Sequence, residues 1–288
     1  MAKGFPQTRF ILVSKWLDNA IVPRQFPAMK NSFILLALLL AVFFAPSVGF
    51  AASSPFVEAA GGKVRLLIDV PEKPEKSLRG AIQIDLADGW KTYWRDPGDA
   101  GVPPQFDLSA SSNIAGSEIA FPAPQRFPDG TTGYKHSVLL PVSFELDKAD
   151  APTRLKGHVF LGLCETICIP MQAEFDLPVK PGDKDALAHT LVTAAFDRLP
   201  LPASPEFGIL QATRKDGKAI FDVRLPDQDG PAELYITSET LGFAAPKLQG
   251  ERFSSEILSA SDKWAKPAKV EYTLVQGDKA VSGIVELP

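Results

Sequence analysis

Cysteine and histidine are scarce in this chain. Of 288 residues, two are Cys and three are His. Two thiols with no histidine nearby in sequence do not make a zinc site. His136, His158 and His189 are scattered and form no nucleophile–base arrangement with a serine or a cysteine. The net charge is only −4, which leaves no basic footprint for nucleic acid. There is no long low-complexity tract, and long helical patterns are few. Apart from one run near the amino terminus, no apolar stretch approaches the roughly 20 residues of a membrane-spanning helix.

What is present is β-rich and turn-rich. The 26 prolines accompany short runs of alternating apolar and polar residues. Val64, Leu66, Ile68 and Val70 alternate with Arg65, Leu67 and Asp69. Ile82, Ile84 and Leu86 do the same, and Asp88-Gly89 then turns the chain into Trp90–Arg95. Residues 96–133 read as a long irregular section. Val138–Leu146 is the clearest amphipathic strand. Strands at this spacing, with turn signals between them, predict an all-β fold of sandwich type.

Near residue 190 the pattern changes. Leu187, Leu191, Ala194, Ala195 and Arg198 recur at helical spacing, which predicts a helix over 185–198 capped by Asp183. Pro200–Pro205 reads as a stiff linker. Six strand patterns follow in 206–288, with hairpin turns at Asp216-Gly217 and Gly277-Asp278. The expected organisation is a leader (1–51), a first sandwich (52–180), a helix with linker (181–205) and a second sandwich (206–288). The second sandwich holds no cysteine, acid pair or glycine-rich phosphate loop. Its aromatics, Tyr235, Phe243, Trp264 and Tyr272, read as core.

The leader has the three parts of a secretory signal peptide: basic Met29-Lys30, an apolar Ser32–Phe44, and small residues around Gly49 and Ala51. Residues 1–28 fit neither a signal nor an anchor, so translation is expected to start at Met29. The mature chain would then lie in an oxidising compartment, without a transmembrane segment.

Both cysteines lie in one stretch, Leu163-Cys164-Glu165-Thr166-Ile167-Cys168-Ile169-Pro170. In an extended strand, residues four apart lie about 13 Å from each other, whereas a disulfide needs α-carbons within about 7 Å. The chain must turn between them. Leu155–Leu163 and Ile169–Leu177 both alternate with period two. A three-residue loop over Glu165–Ile167 would join them as a hairpin with Cys164 opposite Cys168. Extrapolating the alternation puts both sulfurs on the outer face, as an accessible pair. A structural bridge is the commoner use of cysteine in an exported protein. However, closing a five-residue ring contributes only about 2 kcal/mol, against nearly 5 kcal/mol for a hundred-residue loop. Spacing alone leaves a redox pair and a structural bridge both open.

Other candidates are the aromatic run Trp90, Tyr93, Trp94 (packing, or a wall beside the thiols) and the loop Phe121–Pro128. Phe127 in that loop needs something to cover. His158 lies about 20 Å along the strand from Cys164 and cannot serve as its base.

Together these motifs carry a resemblance. They are Gly89–Asp99, Phe121–Phe127, Gly133-Tyr134, Leu140-Pro141-Val142 and Cys164–Pro170. In that order they resemble the amino-terminal periplasmic domain of the thiol:disulfide interchange protein DsbD, in the ScsB-type variant with an additional β domain. The likeness is strong over about 55–180 and weaker to 288. It implies immunoglobulin-like sandwiches and makes the oxidising compartment the periplasm; no cofactor is expected, and the residues themselves offer no metal constellation. It makes Cys164 and Cys168 the catalytic redox pair, Cys168 the sulfur that forms mixed disulfides, Phe127 a cap and Tyr93 an active-site wall. The implied partners are periplasmic thioredoxin-like proteins and a separate membrane electron donor, because the chain ends without a membrane domain. The spacing departs from the best-known members, which have five residues between the cysteines rather than three. The alternative readings are a non-catalytic binding or chaperone-like module with a structural disulfide, and a copper-tolerance accessory protein.

Overall fold

A computed structural model describes residues 52–227, 230–261 and 267–288. The leader pattern up to Ala51, including the start at Met29, and Trp264 lie outside the described residues.

Among the described residues, eleven strands precede helix α1 (Ala186–Asp197): β1 (Val57–Ala59), β2 (Gly62–Asp69), β3 (Ser77–Leu86), β4 (Lys91–Tyr93), β5 (Gln105–Asp107), β6 (Ile114–Ile119), β7 (Gln125–Arg126), β8 (Thr132–Tyr134), β9 (Val138–Leu146), β10 (Thr153–Cys164) and β11 (Cys168–Val179). They form two sheets, ordered β1-β2-β3-β9-β6 and β11-β10-β4-β8-β7, with β5 also on β10. The alternation explains how the sheets face each other. Val64, Leu66, Ile68, Ile82 and Val142 of one sheet and Leu155, Leu161, Leu163, Met171 and Phe175 of the other bury into a shared core. The all-β reading therefore holds. Residues 96–133 are less irregular than expected. They contain β5, β6 and β7, which are short or half-exposed edge strands whose weak alternation hides their pairing.

Helix α1 (Ala186–Asp197) packs on the outer face of the first sheet. Its buried Ala188, Val192 and Ala195 cover Leu67 and Ala81. That accounts for an apolar Leu67 in the polar phase of β2. The cap is Asp185, whose carboxylate accepts from the N–H groups of Leu187 and Ala188, and not Asp183. An N-cap side chain must reach the second or third helical N–H, and Asp183 stands too far back.

The remaining strands are β12 (Leu201–Pro202), β13 (Gly208–Lys215), β14 (Lys218–Arg224), β15 (Ala232–Thr237), β16 (Leu241–Phe243), β17 (Lys247–Gln249), β18 (Arg252–Ala260), β19 (Ala268–Gln276) and β20 (Lys279–Leu287). They form a second pair of sheets, β12-β20-β19-β15 and β13-β14-β18-β16, with β17 on β18. Their core holds Phe221, Phe253, Val270, Tyr272 and Leu274. Part of the run read as a linker is strand. Leu201 and Pro202 pair in parallel with β20 at a sheet edge, where proline's missing N–H is tolerated.

The hairpin β10–β11 positions the candidate site. Its register is unbroken from Thr153↔Val179 to Cys164↔Cys168. The ladder and the buried apolar face hold these strands together without the bridge. Reducing the Cys164–Cys168 bond is therefore expected to leave the β circular dichroism unchanged and to cost at most about 2 kcal/mol in a denaturant melt. Unfolding on reduction would make the bridge structural.

Candidate disulfide site

Cys164 and Cys168 are bonded, with an S–S distance of 2.03 Å and α-carbons 4.0 Å apart. The loop between them is closed by a backbone bond from Glu165 N–H to the Ile167 carbonyl, 3.2 Å. The two sulfurs are not equally accessible. Cys164 is 2% exposed, whereas Cys168 is exposed. The sequence reading of an openly accessible pair is thus corrected for Cys164. The alternation does place it on the outer face, but another strand roofs that face.

The roof is Tyr93. Strand β4 pairs with the end of β10, with Thr92 opposite Leu163 and Lys91 opposite Cys164. Tyr93, one step further along, lies across Gly162. A Cβ built on Gly162 would stand 3.0 Å from the Tyr93 ring and 3.5 Å from Val102. Glycine there makes room for the ring. The Tyr93 hydroxyl then lies 3.1 Å from Cys164 Sγ and 3.3 Å from Cys168 Sγ. Burial, with the charge of Asp129 as a smaller cause, pushes the Tyr93 hydroxyl above its ordinary pKa. It stays protonated at neutral pH and can donate to a sulfur anion.

Phe127 sits at the tip of the small hairpin formed by β7 and β8. Its N–H donates to the Thr131 carbonyl, 2.8 Å. The contact recorded for its ring is with Lys91, whose ammonium lies 4.5 Å from the ring centroid. That ammonium also lies 5.8 Å from the Tyr93 centroid. The structure thus gathers Phe127 and Tyr93 around one cation, on the strand that pairs with the cysteine strand. Gly133 lets β8 approach, since a Cβ there would fall 2.0 Å from the Thr92 carbonyl oxygen. The prolines of the loop are not its only restraint. Lys91 forms an ion pair with Asp129 at the tip and donates to Thr131 Oγ1 at 3.0 Å.

No Lys or Arg stands within a few residues of either cysteine in the sequence, so Lys91 comes into view through the pairing of β4 with β10. The signal was available: Lys91 is two residues before Tyr93, hence on the same face of a strand. His158 lies six pairs along β10 from Cys164, opposite Glu174 and beside Asp107, away from the sulfurs. Of the aromatics, Trp94 is buried in the core and Trp90 packs against it.

The fold and site together define an immunoglobulin-like all-β protein with a cross-strand disulfide at one end of a sheet. The family model described as thiol:disulfide interchange protein DsbD, N-terminal, matches residues 65–180. The resemblance read from the motifs is borne out over that stretch, and at family level it supports thiol–disulfide exchange. Among solved structures, the chain is similar to one described as the crystal structure of the N-terminal periplasmic domain of ScsB from Proteus mirabilis. The TM-score is 0.66 at 20% identity, covering 82% of this chain and 98% of that one. At that identity the likeness speaks for the fold. A conserved domain protein from Bacillus anthracis matches at 12% identity and TM-score 0.24, over 81% of this chain and 87% of that one. No curated protein matches in a sequence search. Among the described residues no helix is long and apolar enough to cross a membrane.

The ion pair has a defined pH range. Hydrogen bonds from Lys91 and then Thr131 hold the Asp129 carboxyl at about 2, below its ordinary 3.8. A pKa depressed by folding stabilises above the unfolded value and is lost as pH falls through the folded one. Amide-exchange protection at Phe127 and Thr131 is therefore expected to be constant from pH 7 to about 4 and to fall only towards about 2. Asp129→Asn should lower it about two- to fivefold already at pH 7, the range of an exposed ion pair. Protection lost in the parent near pH 5 would assign the tip to another contact.

Proposed function

We propose that this protein passes electron pairs by thiol–disulfide exchange in the periplasm, between a separate membrane reductase and thioredoxin-like partners. The observation that carries this reading is the asymmetry of the bridge. One sulfur faces solvent and the other is buried, and a single neutral tyrosine hydroxyl lies within hydrogen-bond reach of both. The family match and the likeness to a periplasmic domain support the same reading.

In the reduced protein, Cys168 is the sulfur a partner can reach. Its thiolate attacks one sulfur of a partner disulfide. A bond forms between Cys168 and that sulfur, and the partner's second sulfur leaves as a thiolate and takes up a proton. Cys164 then attacks Cys168 Sγ. The mixed disulfide breaks, the partner departs as a dithiol, and the Cys164–Cys168 bond re-forms with two electrons passed on. The membrane reductase supplies electrons by the reverse sequence, attacking exposed Cys168 and displacing Cys164. Throughout, Cys164 is the sulfur that develops charge inside the protein. A buried thiolate is costly. The Tyr93 hydroxyl, donating at 3.1 Å, lowers that cost.

Phe127 in this reading is a lid. An oxidising compartment exposes any dithiol to unwanted partners, and a hydrophobic ring held over Lys91 narrows the approach to the pair. Phe127→Ala should therefore speed alkylation of the reduced protein by iodoacetamide without lowering its melting temperature. An unchanged rate would mean that Phe127 covers something else.

Exchange itself is tested by trapping. Cys164→Ala leaves the attacking sulfur without its resolving neighbour and should accumulate a mixed disulfide with a thioredoxin-like protein. Cys168→Ala leaves only the buried sulfur and should not. Trapping through Cys164 alone would reverse the roles, and trapping through neither would remove the mechanism.

A further inference from the structure

The wall and the lid both belong to the first sandwich, yet one side chain of the second sandwich touches the chain neighbours of each. Along β15, Leu234 and Ile236 point into the second core. Tyr235 between them points the other way and packs in the first core, where it is 3% exposed. Its ring meets Trp94 edge-on, with centroids 5.8 Å apart. The guanidinium carbon of Arg126 lies 5.1 Å from the same ring. Trp94 directly follows Tyr93, and Arg126 directly precedes Phe127. A second contact fixes the same junction: Arg95 pairs with Glu271 of β19 at 2.5 Å. Around these contacts the two sandwiches leave an open crevice of about 350 Å³, lined by Trp94, Arg126, Tyr235 and Phe243 among others, so the junction is not filled by bulk packing.

We propose that the second sandwich braces the disulfide site, with Tyr235 as the positioning residue. Its ring holds Trp94, and with it the strand that presents the Tyr93 hydroxyl to the sulfurs. The same ring holds Arg126, the last residue of β7, which leads directly into Phe127. The turn after Phe127 is tied to β4, the neighbour of the cysteine strand, by Lys91 and Asp129, and the residue before Phe127 is tied to the second sandwich by Tyr235. Phe127 is thus fastened on both sides, and the second sandwich limits how far it moves. This rests on the reading of Tyr93 and Phe127 as wall and lid of the pair.

The test is the rate at which a small phosphine reduces the Cys164–Cys168 bond in the full chain at pH 7. The phosphine needs no docking partner, so the outcome is independent of whether a thioredoxin-like protein can be trapped. An aromatic pair and a cation over a ring together amount to roughly a tenfold shift in an equilibrium. Tyr235→Ala is expected to speed reduction about three- to tenfold. Tyr235→Phe keeps the ring contacts to Trp94 and Arg126 and gives up the hydroxyl's bonds to Glu233 and to the Arg126 backbone; its rate should stay closer to the parent's than to that of Tyr235→Ala. Val223→Ala hollows the second core in the other sheet, away from the junction; it should lower the melting temperature but leave the reduction rate unchanged. Arg126→Ala tests the brace from the other side, with the second sandwich intact, and should also speed reduction. The proposal is overturned if Tyr235→Ala and Arg126→Ala both reduce at the parent rate. It is equally overturned if Val223→Ala accelerates reduction as much as Tyr235→Ala, since loosening of the second sandwich alone would then be the cause. If Tyr235→Ala does not fold, Arg126→Ala decides by itself.

Discussion

Everything at the site depends on the register of one hairpin. Strand β10 enters with Leu155, Val159, Leu161 and Leu163 facing the core, and β11 leaves with Met171, Ala173, Phe175 and Leu177 facing the same core. A slip of one residue would turn either set to solvent. That penalty pins the pairing all the way to Cys164↔Cys168. The sulfurs meet because the apolar faces have already been matched. The bond therefore adds little to the fold, and a bond that adds little to the fold can open and close without disturbing it. Structural bridges and exchange bridges differ in this respect more than in their chemistry.

The register explains the meeting of the sulfurs but not their inequality, which comes from long-range contacts. Cys164 is buried because β4, some seventy residues earlier, lies beside the end of β10 and lays Tyr93 across Gly162. Cys168 stays exposed because β11 is the edge strand of its sheet and has no neighbour to roof it. An edge strand presents its outer residues to whatever approaches. In a sulfur pair, the edge member is the one a partner can meet, and the inner member is the one the protein can shield and stabilise. On the proposed exchange reading, sheet order alone assigns the direction of attack before any pKa enters the argument.

The legible parts of the sequence were those in which local periodicity coincides with burial. Val138–Leu146, the two arms of the cysteine hairpin and the Asp216-Gly217 turn belong to this class. In that turn both residues take positive φ, as a tight two-residue hairpin requires. Strands β5, β6 and β7 were hidden because edge strands are half-wet and need not alternate. The outward Leu67 made sense only once α1 was seen to cover it. Parity placed Cys164 on the correct face, but could not say that the face is roofed, because the roof is a pairing between distant strands. The same limit hid Lys91. Its distance from Cys164 in the chain is 73 residues, and in the sheet it is one strand.

Tyr235 shows why a second sandwich is a physical matter for the first. A strand at a domain surface ordinarily alternates apolar and polar residues, and a buried tyrosine on its outer face must be matched by another surface. Here that surface is Trp94 and Arg126. Burial, and then the bond to Glu233, raises the Tyr235 hydroxyl well above its ordinary pKa. The ring therefore enters the junction uncharged, and Arg126 meets the face of a neutral ring. That contact is one of quadrupole and cation, and it screens less readily than an exposed ion pair. The two fastenings on either side of Phe127 thus differ in kind: the turn is held by the exposed Lys91–Asp129 charge pair, which salt weakens, and Arg126 by a largely buried aromatic contact, which salt affects little.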